Sequence, residues 1–542
     1  MAAAQPQVPA LKIPRGRTRS GDIDYLVLSF AELDAEVDAW CTRFAARGIV
    51  RGDRTLIMVR PGLPLIASIF ALFRIGAVPV VIDPGMPLKS FLECVARTRP
   101  RALVGIPVAQ VVSRVFRRSF RGVAARVPAS SSLTARLTDP RIMAGSRKYT
   151  TVDSAPDEMA AILFTSGSTG SPKGVRYEHG MFDAQVRLVR ETYGIAPGEV
   201  DLPLLPVFAL FNPALGMTTV VPEIDPSRPA AVDPAKIVQA IRQEGVTNSF
   251  GSPTLWRIIA DHCRARNIAL PSLRRVLCAG APVPASLWAG ARGLLPNGRL
   301  HSPYGATEAL PVCSISSESY VESERRGDAP PHLFGAPIGR ALPGIQVKVI
   351  AISDDVIPTL GDARELATGE IGEIIVHGPV VTKEYDSLPD ATRRAKITGP
   401  SGAIWHRMGD CGLVDDEGMF WFCGRAIERV ETPTGPMYTE PCEQVFRQHP
   451  RAARCALIGL GVRGQQMAAL VVETRPKNPA EAGTLAQELG KMAREHSHTA
   501  AITRFYFRER FPVDVRHNAK IHRLALAKWA SRAQHFDFDP NA

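Results

Sequence analysis

Residues 164–174 read FTSGSTGSPKG, a run of glycine and hydroxyl residues that ends around one lysine, Lys173. The five residues before it, MAAIL, form a short apolar run that is typical of a buried strand. The residues after it, VRYEHGMFDAQVRLVR, have apolar positions at helical spacing. We therefore predict a strand, a hydroxyl-rich loop and then a helix.

This loop has the chemistry of a phosphate-binding segment. Gly167 and Gly170 permit close backbone approach, and a row of hydroxyls together with Lys173 can donate to phosphate oxygens. The hydroxyl residues considered as donors are Thr165, Ser166, Ser168 and Thr169. A flexible surface linker is the alternative, but the strand before the loop and the lysine after Pro172 disfavour it. The order Pro172-Lys173-Gly174 excludes a Walker P-loop, so we predict a polyphosphate site of another kind.

The chain of 542 residues is too long for a single core. Helical and strand-like segments alternate through the first four hundred residues, which predicts α/β layers with mostly parallel strands. Short strands with turns between about 335 and 425 predict an added antiparallel sheet or small β-barrel-like part. We place a domain boundary near residue 425, with a large α/β domain at 1–425 and a smaller α+β domain at 426–542.

The nine cysteines are scattered, odd in number and without CxxC spacing, so neither a zinc site nor a disulfide framework is expected. The N-terminal residues lack the apolar core of a secretory signal. The most apolar stretch, residues 63–82, is interrupted by Arg74 and Pro79 and predicts a helix and a strand, not a membrane span. A cytoplasmic location is the expectation.

The net charge is +12, and much of the excess lies in an arginine-rich stretch at residues 97–126. Such a balance can mark nucleic-acid binding. No nucleic-acid motif occurs, so we expect the arginines to lie on a solvated helix surface and no nucleic acid to bind. An anionic nucleotide or an acidic partner would suit the same charge.

Four further segments carry polar residues near predicted strand ends. They are LCAGAPVP (277–284), HSPYGATEA (301–309), HRMGDCGLVDDEGMFWFCGR (406–425) and RFPVDVRHNAKIHR (510–523). Tyr304 can stack on a purine, Thr307 can reach a phosphate and Glu308 can hold Mg²⁺. Asp410 can accept two ribose hydroxyls. Each segment alone is equally consistent with an ordinary turn.

In order and content these segments resemble the adenylate-forming superfamily of acyl-CoA ligases, luciferases and peptide-synthetase adenylation domains. The resemblance runs from about residue 28 to about residue 525. It implies ATP and Mg²⁺ as cofactors, an acyl-adenylate product with pyrophosphate leaving, and a mobile C-terminal domain.

The resemblance also implies roles for individual residues. The loop from Thr165 to Lys173 would hold the β- and γ-phosphates of ATP, and Glu308 the Mg²⁺. Thr307 would touch the α-phosphate, and Lys520 would bridge the acyl carboxylate and the α-phosphate. The adenosine would be bound by Gly280, Ala281 and Pro282 below the adenine, Tyr304 stacked on it, and Asp410 and Arg425 on the ribose.

The chain departs from the superfamily pattern at two places. Phe208-Ala209, followed by Leu210 and Phe211, replaces a frequent Phe-His pair; these residues either form an apolar acyl pocket or belong to the core. In the hinge, Ile427 and Glu431 (where a lysine is expected) put transfer to a thiol in doubt.

The segments FALFRIGAVPVVIDPGM (70–86), FALFNPALG (208–216) and RHNAKI (516–521) look most like those of the β-lactone synthetases of bacterial long-chain olefin biosynthesis. This resemblance implies cyclisation of a long-chain 3-hydroxy acid through its own adenylate, because an internal hydroxyl gains from proximity. It also implies a reductase and a hydrolase-fold β-lactone decarboxylase as partner enzymes. The alternatives are a long-chain fatty acyl-CoA ligase and a non-catalytic nucleotide or acyl binder.

Overall fold

The computed structural model describes residues 1–83, 85–129, 148–164, 172–225, 231–326, 335–513 and 521–539. Among these residues, strands β1 to β26 span, in chain order, Pro9–Arg17, Ile23–Ser29, Arg54–Met58, Val78–Val81, Ala102–Gly105, Ala125–Pro128, Met159–Phe164, Gly174–Glu178, Val200–Asp201, Thr218–Val220, Asn248–Gly251, Arg275–Cys278, Arg299–Ala306, Ala309–Ser316, Ala336–Ala341, Gln346–Ile350, Gly372–His377, Lys396–Thr398, Ile404–Val414, Phe420–Arg425, Val430–Thr432, Gly435–Met437, Cys455–Leu460, Met467–Glu473, Arg504–Arg508 and Phe536–Asp537. Helices α1 to α14 span Phe30–Ala45, Leu63–Arg74, Leu88–Thr98, Pro107–Val115, His179–Tyr193, Asn212–Leu215, Pro234–Gln243, Pro253–Ala265, Ala285–Leu294, Ser317–Arg326, Pro389–Ala395, Thr439–Phe446, Pro479–Arg494 and Arg523–Ala530.

The strands of the described part form two large sheets and two small ones. One sheet has the order β6-β5-β3-β4-β7-β8 and is parallel except for β8. The other runs β16-β17-β19-β20-β15-β14-β13-β12-β11-β9-β10-β1-β2, parallel from β13 through β1 and antiparallel beyond both. The predicted α/β class is confirmed, and the antiparallel strands predicted near 335–425 continue this larger sheet.

The C-terminal part has its own sheet, β23-β24-β25-β26, and its own core around Phe446, Leu485 and Phe505. Strand β20 ends at Arg425, and a short 3-10 turn, Ala426–Glu428, follows it. The separate core is consistent with the predicted boundary at 425, which stays a prediction.

Local sequence explains why the first helix forms where it does. Ser29 caps α1 by accepting from the backbone N–H of Glu32, and the Glu32 carboxylate accepts from the Ser29 N–H in return. Trp40 and Phe44 lie four residues apart on the apolar face of the helix, and both are completely buried. Within the described residues, no helix combines the length and apolar character needed to cross a bilayer.

Two sequence predictions need correction. The residues after the loop do not enter a helix directly, because Gly174–Glu178 first pairs antiparallel with β7 and buries Val175 and Tyr177. This period-two burial shows that strand pairing overrides the helical spacing. In the arginine-rich stretch, α4 ends at Val115, so Arg117, Arg118 and Arg121 lie in the turns after the helix.

Candidate active site

Two strand pairings assemble the polar centre of the site. Thr307 and Glu308 form the turn between β13 and β14, with Tyr304 shortly before it on β13. Asp410 on β19 and Arg425 on β20 face each other as a cross-strand pair. Because β13 and β19 belong to one sheet, residues a hundred positions apart in the chain come together.

Tyr304 and Arg425 contact the buried Asp410 carboxylate, one through a hydrogen bond and the other through an ion pair. The Tyr304 hydroxyl donates to Asp410 Oδ2 at 2.6 Å, and Arg425 Nη1 lies 2.7 Å from Asp410 Oδ1. Burial and then the Asp410 charge raise the pKa of Tyr304, while the same carboxylate raises the pKa of Arg425. The two neighbours therefore hold the Asp410 carboxylate in one orientation.

We predict that Tyr304→Phe lowers the free energy of unfolding by about 1.5–3 kcal/mol, because the hydroxyl bonds a buried charged group. Tyr193→Phe is the matched control, since its hydroxyl bonds the neutral Ser314 Oγ at 3.1 Å and should cost only about 0.5–1.5 kcal/mol. Urea unfolding of both variants measures the difference. Equal losses would show that the Asp410 contact has no special strength.

Glu308 is held by two residues that follow it by more than seventy positions. The Tyr385 hydroxyl donates to Glu308 Oε1 at 2.8 Å. The Thr382 N–H and hydroxyl donate to the Glu308 carbonyl oxygen at 2.9 and 3.1 Å. The backbone of the turn and the Glu308 carboxylate are thus both fixed by this later segment of the chain.

Two lysines flank the Tyr385 ring. Lys173 Nζ lies 4.8 Å from the ring centroid and Lys396 Nζ 6.0 Å from it. Lys396 is buried, and its ammonium donates to the Thr382 carbonyl oxygen and to its Oγ1. Burial lowers the pKa of Lys396 to about 7, against a smaller raising effect of Glu308 and a lowering effect of Lys173. Two lysines and the Glu308 carboxylate therefore surround the Tyr385 side chain.

Sequence reasoning missed Thr382, Tyr385 and Lys396 as parts of this site. The sequence carries no signal for Lys396, which begins β18 directly after Arg393, Arg394 and Ala395, because lysine is rarely fully buried. Of the predicted residues, the structure brings Lys173 and Glu308 to this cluster.

Gly280 comes two residues after β12, the parallel neighbour of β13. In that pairing Leu277 lies opposite His301, three residues before Tyr304 on β13. Gly280 has a φ of 98°, a conformation that favours glycine. Ala281 and Pro282 follow in the same exposed loop, where a flat ring could lie between backbone and tyrosine.

Several predicted residues lie outside the described residues: Thr165, Ser166, Gly167, Ser168, Thr169, Gly170 and Lys520. Their flanks are placed. Phe164 and Gly174 pair across β7 and β8, so both ends of the loop meet at the same sheet edge as Lys173. Val513 and Ile521 form an isolated antiparallel bridge around the segment that contains Lys520.

An apolar cavity adjoins the polar centre. Its lining includes Phe208, Phe211, Met217, Phe250, Leu277 and Pro311. Phe208 stacks on Phe250 with ring centroids 3.6 Å apart. Ala209 and Leu210 turn away into a neighbouring core cluster. Phe208 and Phe211 therefore belong to the apolar cavity, and Ala209 and Leu210 belong to the core.

Within the described ranges, no three His, Cys, Asp or Glu side chains group as a metal site. Mg²⁺ is commonly held by one or two carboxylates together with substrate phosphates, and the fixed Glu308 carboxylate beside Lys173 fits that pattern. The Tyr304, Asp410 and Arg425 network fits a ribose and a purine in the same way.

The fold and this site together define an enzyme that binds an adenine nucleotide. Residues 2–386 match the family described as AMP-binding enzyme, and the chain belongs to that family. It is 44% identical to an olefin beta-lactone synthetase of Xanthomonas campestris pv. campestris over 98% of this chain and 96% of that one. It is 42% identical, with the same coverage, to an olefin beta-lactone synthetase of Stenotrophomonas maltophilia.

Solved structures share the fold at low identity. The O-succinylbenzoate coenzyme A synthetase of Bacillus subtilis, in complex with ATP and magnesium ion, superposes with a TM-score of 0.75. It is 20% identical, and the match covers 97% of this chain and 98% of that chain.

Proposed function

We propose that the protein uses Mg²⁺ and ATP to activate a long-chain 3-hydroxy acid as its acyl-adenylate and then closes the acid to a β-lactone. One observation carries the proposal: a single hairpin, β13–β14, serves both halves of the site. Pro303, Leu310 and Pro311 line the apolar cavity, and Tyr304 and Glu308 face the polar centre. An acid with its alkyl chain in the cavity would therefore have its carboxylate near the nucleotide phosphates.

In the first step, a carboxylate oxygen of the acid attacks the α-phosphorus and pyrophosphate leaves. Asp410 and Arg425 hold the ribose, the hydroxyl-rich loop and Lys173 hold the outer phosphates, and Thr307 contacts the α-phosphate. Bound at Glu308, Mg²⁺ would offset phosphate charge. Lys520 offsets the charge that builds between carboxylate and phosphate, and such preorganised groups act most strongly where water is excluded.

In the second step, the 3-hydroxyl oxygen attacks the activated carbonyl carbon of the same molecule. The C–O bond to AMP breaks, AMP leaves with the electron pair, and the hydroxyl proton is released. Attack within one molecule needs no second acceptor site and gains from proximity. The ring that closes has four members.

A long-chain fatty acyl-CoA ligase is the second candidate, because it would use the same nucleotide residues. The hinge disfavours it. Glu431, at the place of the expected lysine, is paired with Arg429 at 2.6 Å and with Arg463 at 3.1 Å. The Glu431 N–H also donates to Gln466 Oε1, and the Glu431 carbonyl oxygen accepts from the Gln466 N–H. Ion pairs and hydrogen bonds thus tie this hinge segment to the rest of the C-terminal part.

The proposed chemistry places the protein between two other enzymes. A reductase would supply the 3-hydroxy acid, and a hydrolase-fold decarboxylase would convert the β-lactone to an alkene. The nine cysteines are all buried and form no disulfide, which suits work in the reducing cytoplasm. Co-purification of the three proteins at low salt tests for a stable complex.

The acyl site is tested with Phe211→Asp. We expect the KM for a long-chain acid to rise at least tenfold, because a carboxylate in the apolar cavity removes favourable burial of the alkyl chain. The KM for ATP should stay within twofold. The measurement is acid-dependent ATP–pyrophosphate exchange.

The matched control is Val207→Asp, four residues earlier, where the side chain is exposed and does not line the cavity. It should behave as wild type. An unchanged acid KM in Phe211→Asp would place the alkyl chain elsewhere.

A further inference from the structure

Helix α4 carries an unusual row of exposed apolar residues. Val108, Val111 and Val115 are 67%, 59% and 66% exposed, and their spacing of three and four puts them on one face. The opposite face packs Ala109 and Ser113 into the protein. The three valines therefore face solvent on a helix whose opposite face is packed against the protein.

Arginines surround this row. Arg114 is exposed on the helix itself, and Arg117, Arg118 and Arg121 are exposed in the turn that follows. Among the described residues none of the four makes an ion pair with a carboxylate; Arg114 bonds only the Gln110 carbonyl. We call these four arginines and three valines the α4 patch.

Unbalanced positive charge is visible in the neighbouring arginine. The pKa of Arg126 is lowered by burial first and then by Arg114 and Arg117. Some other arginines of the described residues do sit against carboxylates, as Arg74 does with Asp34 and Asp38. The α4 patch is therefore a site of like charges without their counter-ions.

We propose that the α4 patch binds the surface of an anionic lipid bilayer, with the valines entering the interface and the arginines contacting phosphate headgroups. Interfacial segments combine these two features, apolar side chains on the outer face and a rim of basic residues. The α4 patch combines exposed apolar side chains with basic ones, and contact with an anionic bilayer uses both. This combination favours a bilayer over an acidic protein.

Bilayer binding would give the enzyme access to its substrate, and only this consequence rests on the proposed function. An acid with a long alkyl chain resides mainly in membranes, so an enzyme held at the bilayer meets it there. Binding itself depends on neither ATP nor catalysis.

The test is sedimentation of the purified full-length protein with vesicles of phosphatidylglycerol and phosphatidylcholine, or of phosphatidylcholine alone. We expect binding to the anionic vesicles at 0.05 M salt, loss at 0.5 M salt, and little binding to neutral vesicles. Each arginine near an anionic surface is worth about fivefold in affinity, so Arg117→Ala/Arg118→Ala should bind about 25-fold more weakly. Val111→Asp should weaken binding as well.

The matched control is Arg393→Ala/Arg394→Ala, which removes the same charge from an exposed pair on the helix Pro389–Ala395. It should bind as wild type. Equal binding of wild type and the Arg117/Arg118 variant, or retention by an acidic partner protein without any by vesicles, would overturn the proposal. Vesicle binding without β-lactone formation would leave the patch intact and refute only the proposed function.

Discussion

Lys520→Ala should lower the rate of ATP–pyrophosphate exchange by about a hundred- to a thousandfold. A cation at the junction of carboxylate and α-phosphate acts mainly in the transition state, where removal of one preorganised group typically costs about 2.7–4 kcal/mol. The KM for ATP should change little, because Tyr304, Asp410 and the Glu308 turn are untouched. Exchange measured with saturating 3-hydroxy acid reports this step alone.

Lys528→Ala serves as the control for Lys520→Ala. Lys528 is an exposed lysine on the helix Arg523–Ala530, close in sequence and in the same C-terminal part. It should exchange at the wild-type rate. A Lys520→Ala variant that keeps more than about a third of the exchange rate would remove Lys520 from the reaction.

Lys396→Met should make the protein more stable and less active. The buried ammonium has no carboxylate within ion-pair distance among the described residues, and burial lowers its pKa to about 7. Its pKa in the unfolded chain is about 10.4, so protonated Lys396 opposes folding by roughly 3–5 kcal/mol below pH 7. Methionine has a similar shape and no charge.

The pH dependence distinguishes this explanation from simple repacking. Between pH 7 and about 10.4 the unfolded chain binds the proton that folded Lys396 releases, so wild-type stability should rise with pH over that range. The advantage of Lys396→Met should therefore be largest at pH 6 and small at pH 10. Denaturant unfolding at both values measures it.

The activity of Lys396→Met should fall about tenfold or more, because Lys396 holds Thr382, and Thr382 holds the Glu308 carbonyl. Lys383→Met is the control: Lys383 is exposed and pairs with Glu178 at 2.8 Å. It should change stability by less than about 1 kcal/mol. A Lys396→Met variant that is less stable at pH 6 would contradict the assigned cost of the buried charge.

Much of the fold could be predicted from local pattern. Apolar runs located β3, β4, β12 and β24, and the capped amphipathic segment located α1, because each pattern reports burial by near neighbours in sequence. The strand Gly174–Glu178 could not be found in this way. Its pairing with β7 joins two segments separated by residues 165–173, whose sequence carries no hairpin signal.

The candidate site, like the fold, could be predicted from the sequence only in part. Motif residues such as Tyr304, Glu308 and Asp410 could be named from their segments, and the structure brings Tyr304 to Asp410. Lys396 and Tyr385 could not be named, since their contacts with Thr382 and Glu308 arise only when separate strands meet. The alternatives for Phe208 to Phe211 also required the structure, because cavity and core residues have the same apolar composition.

The most direct test of the central claim is a product assay with purified protein. Mg²⁺, ATP and a long-chain 3-hydroxy acid are supplied with and without coenzyme A, and the organic product is identified by mass spectrometry and NMR. A β-lactone formed without coenzyme A, together with AMP and pyrophosphate, is the expected result. A thioester formed only when coenzyme A is present would contradict the proposal and make the protein an acyl-CoA ligase.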